Sequence, residues 1–250
     1  MLSDFQRLQP TARPKDRAAI MLQSWRNLLF LHWSVDPADI QATLPTGLFA
    51  DTFKNRAYLG IVPFLMQGVR PRFCPPVPGL SNFLELNLRT YVVDAHGNPG
   101  VWFYSLDANK WLAVKIAQNF FSLPYVYSKM YAEFRGDLST RLESTRKDQP
   151  KQVFHYKKLK PLGKSSIGSL QFFLAERYLL FSQSRRSQKL FVGRIFHEPY
   201  PLFDTEIASY SKDLFRLNGF DTPDTEPEHA MMSPGVDVQI FNIQAVRNNA

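Results

Sequence analysis

Cysteine is nearly absent: Cys74 is the only one in 250 residues. That excludes an internal disulfide and any cysteine-built zinc site, and it fits a reducing compartment. Long apolar runs are missing as well. LLFLHW and GIVPFLM are strand-sized, far short of the roughly 20 residues that span a bilayer. The opening MLSDFQRLQPTARPKDR lacks the apolar stretch of a signal peptide. A soluble, cytoplasmic protein with no membrane partner is therefore expected. Catalytic signatures are equally scarce. There is no G-x-S-x-G elbow and no G-x-G-x-x-G loop. Gly163-Lys164-Ser165 looks like the end of a phosphate-binding loop, but Lys158 stands where the first glycine is required. The histidines His32, His96, His155, His197 and His229 show no H-E-x-x-H spacing, so neither a metal nor a cofactor is expected. His96 and His229 fall in expected loops and read as solvated. His197 and Glu198, as strand neighbours, point to opposite faces.

What is present is an ordinary globular balance, 44% hydrophobic and 21% charged, with aromatics at 14%. That richness, 21 Phe and 10 Tyr, favours strands with large buried side chains. The net charge of +8 permits an anionic ligand, nucleic acid or a membrane surface without choosing among them. Residues 1–18 are polar, with Pro10 and Pro14, and read as a flexible N-terminal arm; 19–250 read as one domain, because no convincing linker or repeat interrupts them.

Trp25–Val35 reads as a strand with Arg26, Leu28, Phe30, His32 and Ser34 on one face. Asp36 and Pro37 open a short helix that carries Ile40 and Leu44 and ends at Pro45-Thr46-Gly47. Ala57–Gln67 is an apolar strand, and Arg70–Gly79 a proline-rich loop. A hairpin is expected over Asn82–Asn109, turning at Asp94–Gly100. A helix is expected over Asn109–Phe121, then a basic hairpin over Phe134–Thr145 and Gln152–Lys160. A helix over Ser166–Ala175 and a hairpin over Tyr178–Ser182 and Leu190–His197 follow. Residues 210–217 read as a short helix, Thr222–Pro234 as a loop and Val236–Val246 as a last strand. The fold class is α+β, mainly antiparallel β.

The central hairpin carries the decisive pattern. Leu84, Leu86, Leu88, Thr90 and Val92 share one face; Glu85, Asn87, Arg89 and Tyr91 share the other. On the return strand Trp102, Tyr104 and Leu106 oppose Val101, Phe103, Ser105 and Asp107. The polar row either faces water or lines a cavity. In a cavity Glu85 and Arg89 are buried charges that need partners, and an arginine is the expected partner of Glu85. The basic segments also have two readings. Lys157, Lys158, Lys160 and Lys164 interleave with Phe154 and Tyr156, a pattern that suits single-stranded nucleic acid or a solvated, charge-protected edge.

Several pieces of the chain resemble the YqjF-like uncharacterised bacterial family, a domain of unknown function. They are Leu31-His-Trp-Ser-Val35, Leu44-Pro-Thr-Gly47, Tyr58–Phe64, Glu85–Tyr91, Gly100–Asp107, Leu123-Pro-Tyr125, Glu176-Arg-Tyr178, His197–Leu202 and Gly235–Val238. More distantly that family looks like the acetoacetate decarboxylase superfamily. The resemblance implies a cone-shaped, mostly antiparallel β-barrel with a central cavity and flanking helices, and a polar row that points inward. It also implies that Arg26, ten residues before Asp36, and Glu85 match cavity residues of the decarboxylases. Those enzymes carry Pro-Lys-Lys after the central hairpin, where the first lysine forms a Schiff base. Here the run is Leu123-Pro124-Tyr125-Val126, so the Schiff-base decarboxylation is expected to be lost. Catalytic residues are not identifiable. The cavity candidates are Arg26, His32, Glu85, Asn87, Arg89 and Tyr125, suited to a small carboxylate or oxygenated metabolite. A scaffold or nucleic-acid-associated protein that uses its basic strands is the alternative. A homo-oligomer is left open.

Overall fold

The computed structural model describes residues 2–111, 122–136 and 139–246. The strands run in chain order β1 (Met21–Val35), β2 (Leu48–Ala50), β3 (Ala57–Pro71), β4 (Phe83–Asp94), β5 (Pro99–Ala108), β6 (Tyr125–Tyr127), β7 (Lys129–Arg135) and β8 (Ser139–Thr145). They continue as β9 (Gln152–Gly163), β10 (Leu179–Gln183), β11 (Leu190–Phe196), β12 (Leu202–Ser209), β13 (His229–Ile240) and β14 (Gln244–Ala245). Pairing runs β11-β10-β5-β4-β3-β1-β13, and β13 returns to β11 through Ile195 opposite Ile240, which closes a ring. Ring pairings are antiparallel except β10 beside β5. From β13 the sheet continues through β12, β9, β8 and β7 as an outer layer.

The two larger hydrophobic clusters among the described residues follow from this arrangement. Inside the ring, Leu28, Phe30, Phe64, Met66, Phe83 and Tyr91 belong to one cluster. Outside it, Leu84, Leu86 and Leu88 of β4 pack with Leu142, Phe154 and Tyr156 of the outer strands and with Leu214 and Phe215 of the helix Asp213–Leu217. Both faces of β4 are thus covered, and its apolar row faces outward while its polar row faces the ring interior. Phe154 and Tyr156 are essentially unexposed, so they present no rings to a nucleic acid. Their alternation with lysines is that of a strand with one face buried.

Strict alternation fails at several register shifts, and two of these β-bulges bear on the cavity. Arg26 lies opposite Leu65 and Leu31 opposite Ile61, so five steps on β1 match four on β3. Asn27 takes up the extra residue with φ +52°. On the hairpin, Leu88 pairs with Ser105 and Arg89 with Phe103, which puts one extra residue into β5. The expected grouping of Trp102 and Tyr104 with Leu106 is therefore corrected: Leu106 joins the inner core, while Trp102 and Tyr104 pack in outer clusters.

The local signals act as their chemistry requires. Asp36 caps the helix Pro37–Thr43 by accepting from the Ala38 amide at 2.8 Å. Ser169 caps Leu170–Ala175 through the Phe172 amide. Asp94 closes the hairpin turn by accepting from the His96 and Asn98 amides. Other expectations are revised. The strand expected over Phe134–Thr145 is broken at Gly136, with φ +59°, into β7 and β8. β12 follows the Glu198-Pro-Tyr-Pro201 break, and β13 begins at His229 inside the expected loop. The helix expected over Asn109–Phe121 lies mostly outside the described residues. The N-terminal segment, expected to be a flexible arm, carries the helix Asp4–Leu8. It is tied down by Arg7 on Asp51 and by Arg194, which donates to the carbonyls of Pro10 and Ala12. No helix among the described residues is long and apolar enough to cross a membrane.

Candidate ligand-binding site

The ring encloses a cavity of about 440 Å³. Strand register fixes its depth. Met21 pairs with Pro71 near the mouth; Trp25, Met66 and Phe83 pair in the next layer; Phe64 and Glu85 follow, and Arg89 lies opposite Gly60 at the bottom. The proline-rich loop supplies Cys74, Pro75 and Val77 at the mouth.

Glu85 is 3% exposed. The expected ion pair with an arginine is not formed. Its Oε2 accepts from the Tyr125 hydroxyl at 2.7 Å, and its Oε1 accepts from Asn87 Nδ2 at 3.3 Å. Burial pushes its pKa up to about 7, against the lowering effect of those two hydrogen bonds. The Asn87 Oδ1 has no partner. Tyr125, buried beside a carboxyl, has its pKa raised well above the ordinary phenol range, which keeps its hydroxyl protonated and able to donate.

Arg89 is 8% exposed. Its Nη2 donates to the Leu174 carbonyl at 3.1 Å and to the Tyr91 oxygen at 3.4 Å. Its Nε has no partner, and among the described residues no carboxylate reaches it. Arg177 also lines the cavity, and its guanidinium, like that of Arg89, packs against the Tyr91 ring. Arg177 donates from Nε to the Phe173 carbonyl and from Nη1 to Asp51 at 2.7 Å, and its Nη2 is unpartnered. Asp51 is shared with Arg7, which grips both its oxygens at 2.9 Å. Burial raises the Asp51 pKa, but the two guanidiniums outweigh it and hold it below the usual carboxylate range. The floor therefore holds more buried positive charge than Asp51 neutralises.

His32 lies beneath this floor and does not line the cavity. Tyr91 donates its hydroxyl proton to the Leu174 carbonyl at 2.8 Å. Its oxygen is then the acceptor for His32 Nε2 at 2.7 Å, which leaves His32 Nδ1 to accept from His229 Nδ1 at 3.3 Å. His229, expected to be solvated, is the outer end of this chain. Burial lowers both histidines, His32 well below its ordinary value and His229 to about 4. Gly60 leaves no room for a side chain against the His32 ring.

Of the sequence candidates, Glu85, Arg89 and Tyr125 line the cavity, Asn87 supports Glu85 from behind, and His32 supports Tyr91. Arg26 is elsewhere. The bulge at Asn27 turns Trp25 into the cavity and Arg26 outward, where it pairs with the exposed Asp237. Sequence reasoning missed Arg177 and Tyr200. Arg177 had a signal: with Glu176 it interrupts the apolar runs Phe172–Ala175 and Tyr178–Phe181, and charges embedded in apolar sequence are buried charges. Among the described residues no lysine lines the cavity, and no cluster of His, Cys, Asp or Glu is placed to hold a metal.

A family model of uncharacterized conserved proteins, DUF2071, matches residues 22–237. The chain belongs to the DUF2071 family. Within it, the uncharacterized protein YqjF of Bacillus subtilis (strain 168) is 37% identical over 210 residues, covering 83% of this chain and 85% of YqjF. Among solved structures, the enduracididine biosynthesis enzyme MppR, complexed with the condensation product of pyruvate and imidazole 4-carboxaldehyde, superposes with TM-score 0.65 at 9% identity, over 92% of this chain and 90% of MppR. Acetoacetate decarboxylase from Legionella pneumophila superposes with TM-score 0.62 at 10% identity, over 100% of this chain and 97% of that one. The DUF2071 chain thus has the acetoacetate-decarboxylase-like fold. At such identities the likeness concerns the fold alone.

Proposed function

We propose that this DUF2071 protein binds a small carboxylate or similarly oxygenated metabolite in its cavity. The observation that carries this reading is Arg89: a buried guanidinium lining a cavity, with an unpartnered Nε and no acidic partner among the described residues. An uncompensated buried charge is costly, and a ligand carboxylate supplies the missing partner in the geometry guanidinium favours. Arg177, in the same cavity lining, has a further unpartnered donor in its Nη2. Glu85, with a pKa near 7, can exchange a proton with a bound oxygen, and the protonated Tyr125 hydroxyl can polarise a carbonyl. The pair cannot form an iminium, so the reading includes no Schiff-base decarboxylation.

Thermal denaturation with a panel of small carboxylates tests this. A binder raises the melting temperature, and Arg89→Met abolishes the rise. Borohydride treatment in the presence of a β-keto acid is expected to leave the intact mass unchanged. A lysine adduct would contradict the assignment of the site, and a rise unaffected by Arg89→Met would contradict the role of Arg89.

A further inference from the structure

We infer that the ligand is an amphipathic acid, a carboxylate on an extended hydrocarbon body, with its head on Arg89 and Arg177 and its tail rising to the proline-rich loop. This rests on the carboxylate reading and adds the substrate class. Three observations carry it. The first is size: about 440 Å³ is within the range of drug-sized ligand pockets, far more than a four-carbon acid fills. The second is shape. Phe83 and Arg89 lie six residues apart on β4, so the wall between them runs about 20 Å at 3.3 Å per residue. The third is the segregation of polarity. The unpartnered donors of Arg89 and Arg177 are at the bottom. The wall above is built from Trp25, Phe64, Met66, Phe83, Leu106 and Ile195. Near the mouth Arg70 and Ser81 are turned to backbone, Arg70 donating to the Gly68 carbonyl at 3.0 Å and Ser81 accepting from the Val77 amide at 2.7 Å, and Gln23 is the remaining polar side chain of the upper lining. A short polar acid would leave most of this wall against water; a hydrocarbon chain covers it, and burial of apolar area is the driving force.

Calorimetric titration of the full chain with butyrate, octanoate and dodecanoate, each with its methyl ester and below its micelle concentration, tests the inference. Affinity is expected to rise about fourfold per added methylene until the cavity is full. Each ester is expected to bind at least tenfold more weakly than its acid, and Arg89→Met to remove that preference. Val77→Asp, at an exposed position on the mouth loop, is expected to weaken dodecanoate at least tenfold and butyrate less. Butyrate binding as tightly as dodecanoate would overturn the amphipathic inference and leave the carboxylate reading standing. No binding by any acid at any length would overturn both.

Discussion

At the scale of single residues, the buried ionisable groups pull stability in opposite directions with pH. Glu85 has a folded-state pKa of about 7 against an ordinary 4.5. The folded protein therefore holds this proton more tightly than the unfolded chain, and the associated stability is present at acid pH and lost as pH rises through 7. Between pH 5 and 8.5 that loss is about 2–3 kcal/mol. Glu85→Gln is accordingly expected to unfold at a higher urea midpoint than the parent at pH 8.5 and to lose most of that advantage at pH 5. An equal difference at both values would contradict the burial of an uncompensated acid. Histidines act with the other sign. His197 and His229 are each lowered by burial from 6.5 to about 4. Unfolding takes up their protons, so stability falls as pH drops from 6.5 through 4. The parent is expected to lose stability across that window, and Glu85→Gln to lose it more steeply, because its compensating acid is gone; urea titrations at half-unit pH steps measure both slopes. Asp51 is held by two arginines, and its side chain is 5% exposed. Asp51→Ala leaves Arg177 buried without a countercharge, and a loss of about 3–5 kcal/mol is expected in urea unfolding.

At the scale of elements, much was legible. Asp36-Pro37, the turn at Asp94–Gly100 and the alternation of Leu84–Val92 each act through local chemistry that sequence displays directly. Arg26 shares a face with His32 by the period of two but not in the structure, because that period cannot register an inserted residue. The bulge depends on Asn27 adopting φ +52° and on Gly235 across the pair, where a Cβ would meet the Trp25 carbonyl at 2.1 Å. Neither an asparagine nor a glycine announces this in one sequence. β13 begins at His229, ahead of the Val236 start that the sequence pattern suggests, because a Pro- and Glu-rich segment resembles a loop until its partner β1 is in view. Asn27→Val is expected to destabilise by about 1–2 kcal/mol, the cost of a β-branched residue in left-handed backbone, whereas Asn27→Gly stays within a few tenths. Equal thermal melts for the two variants would argue against the bulge.

At the scale of the molecule, a sheet closed on itself and wrapped by its own outer strands buries both faces of β4. This inverts the usual sense of its pattern: the leucines face the second core and the charges face the lumen. The N-terminal segment belongs to the same construction, since Arg7 reaches through Asp51 to Arg177 on the cavity floor. The proposal that draws on fold, charge and cavity together is that Arg89 and Arg177 seat an anion at the base of an apolar chamber. A crystal structure of the protein grown with dodecanoate tests this most directly. The expected result is a carboxylate within hydrogen-bonding distance of Arg89 Nε and Arg177 Nη2, with the chain directed toward Cys74 and Val77. A carboxylate seated on the outer basic strands over an empty chamber, or one reversed with its head at the mouth, would contradict it.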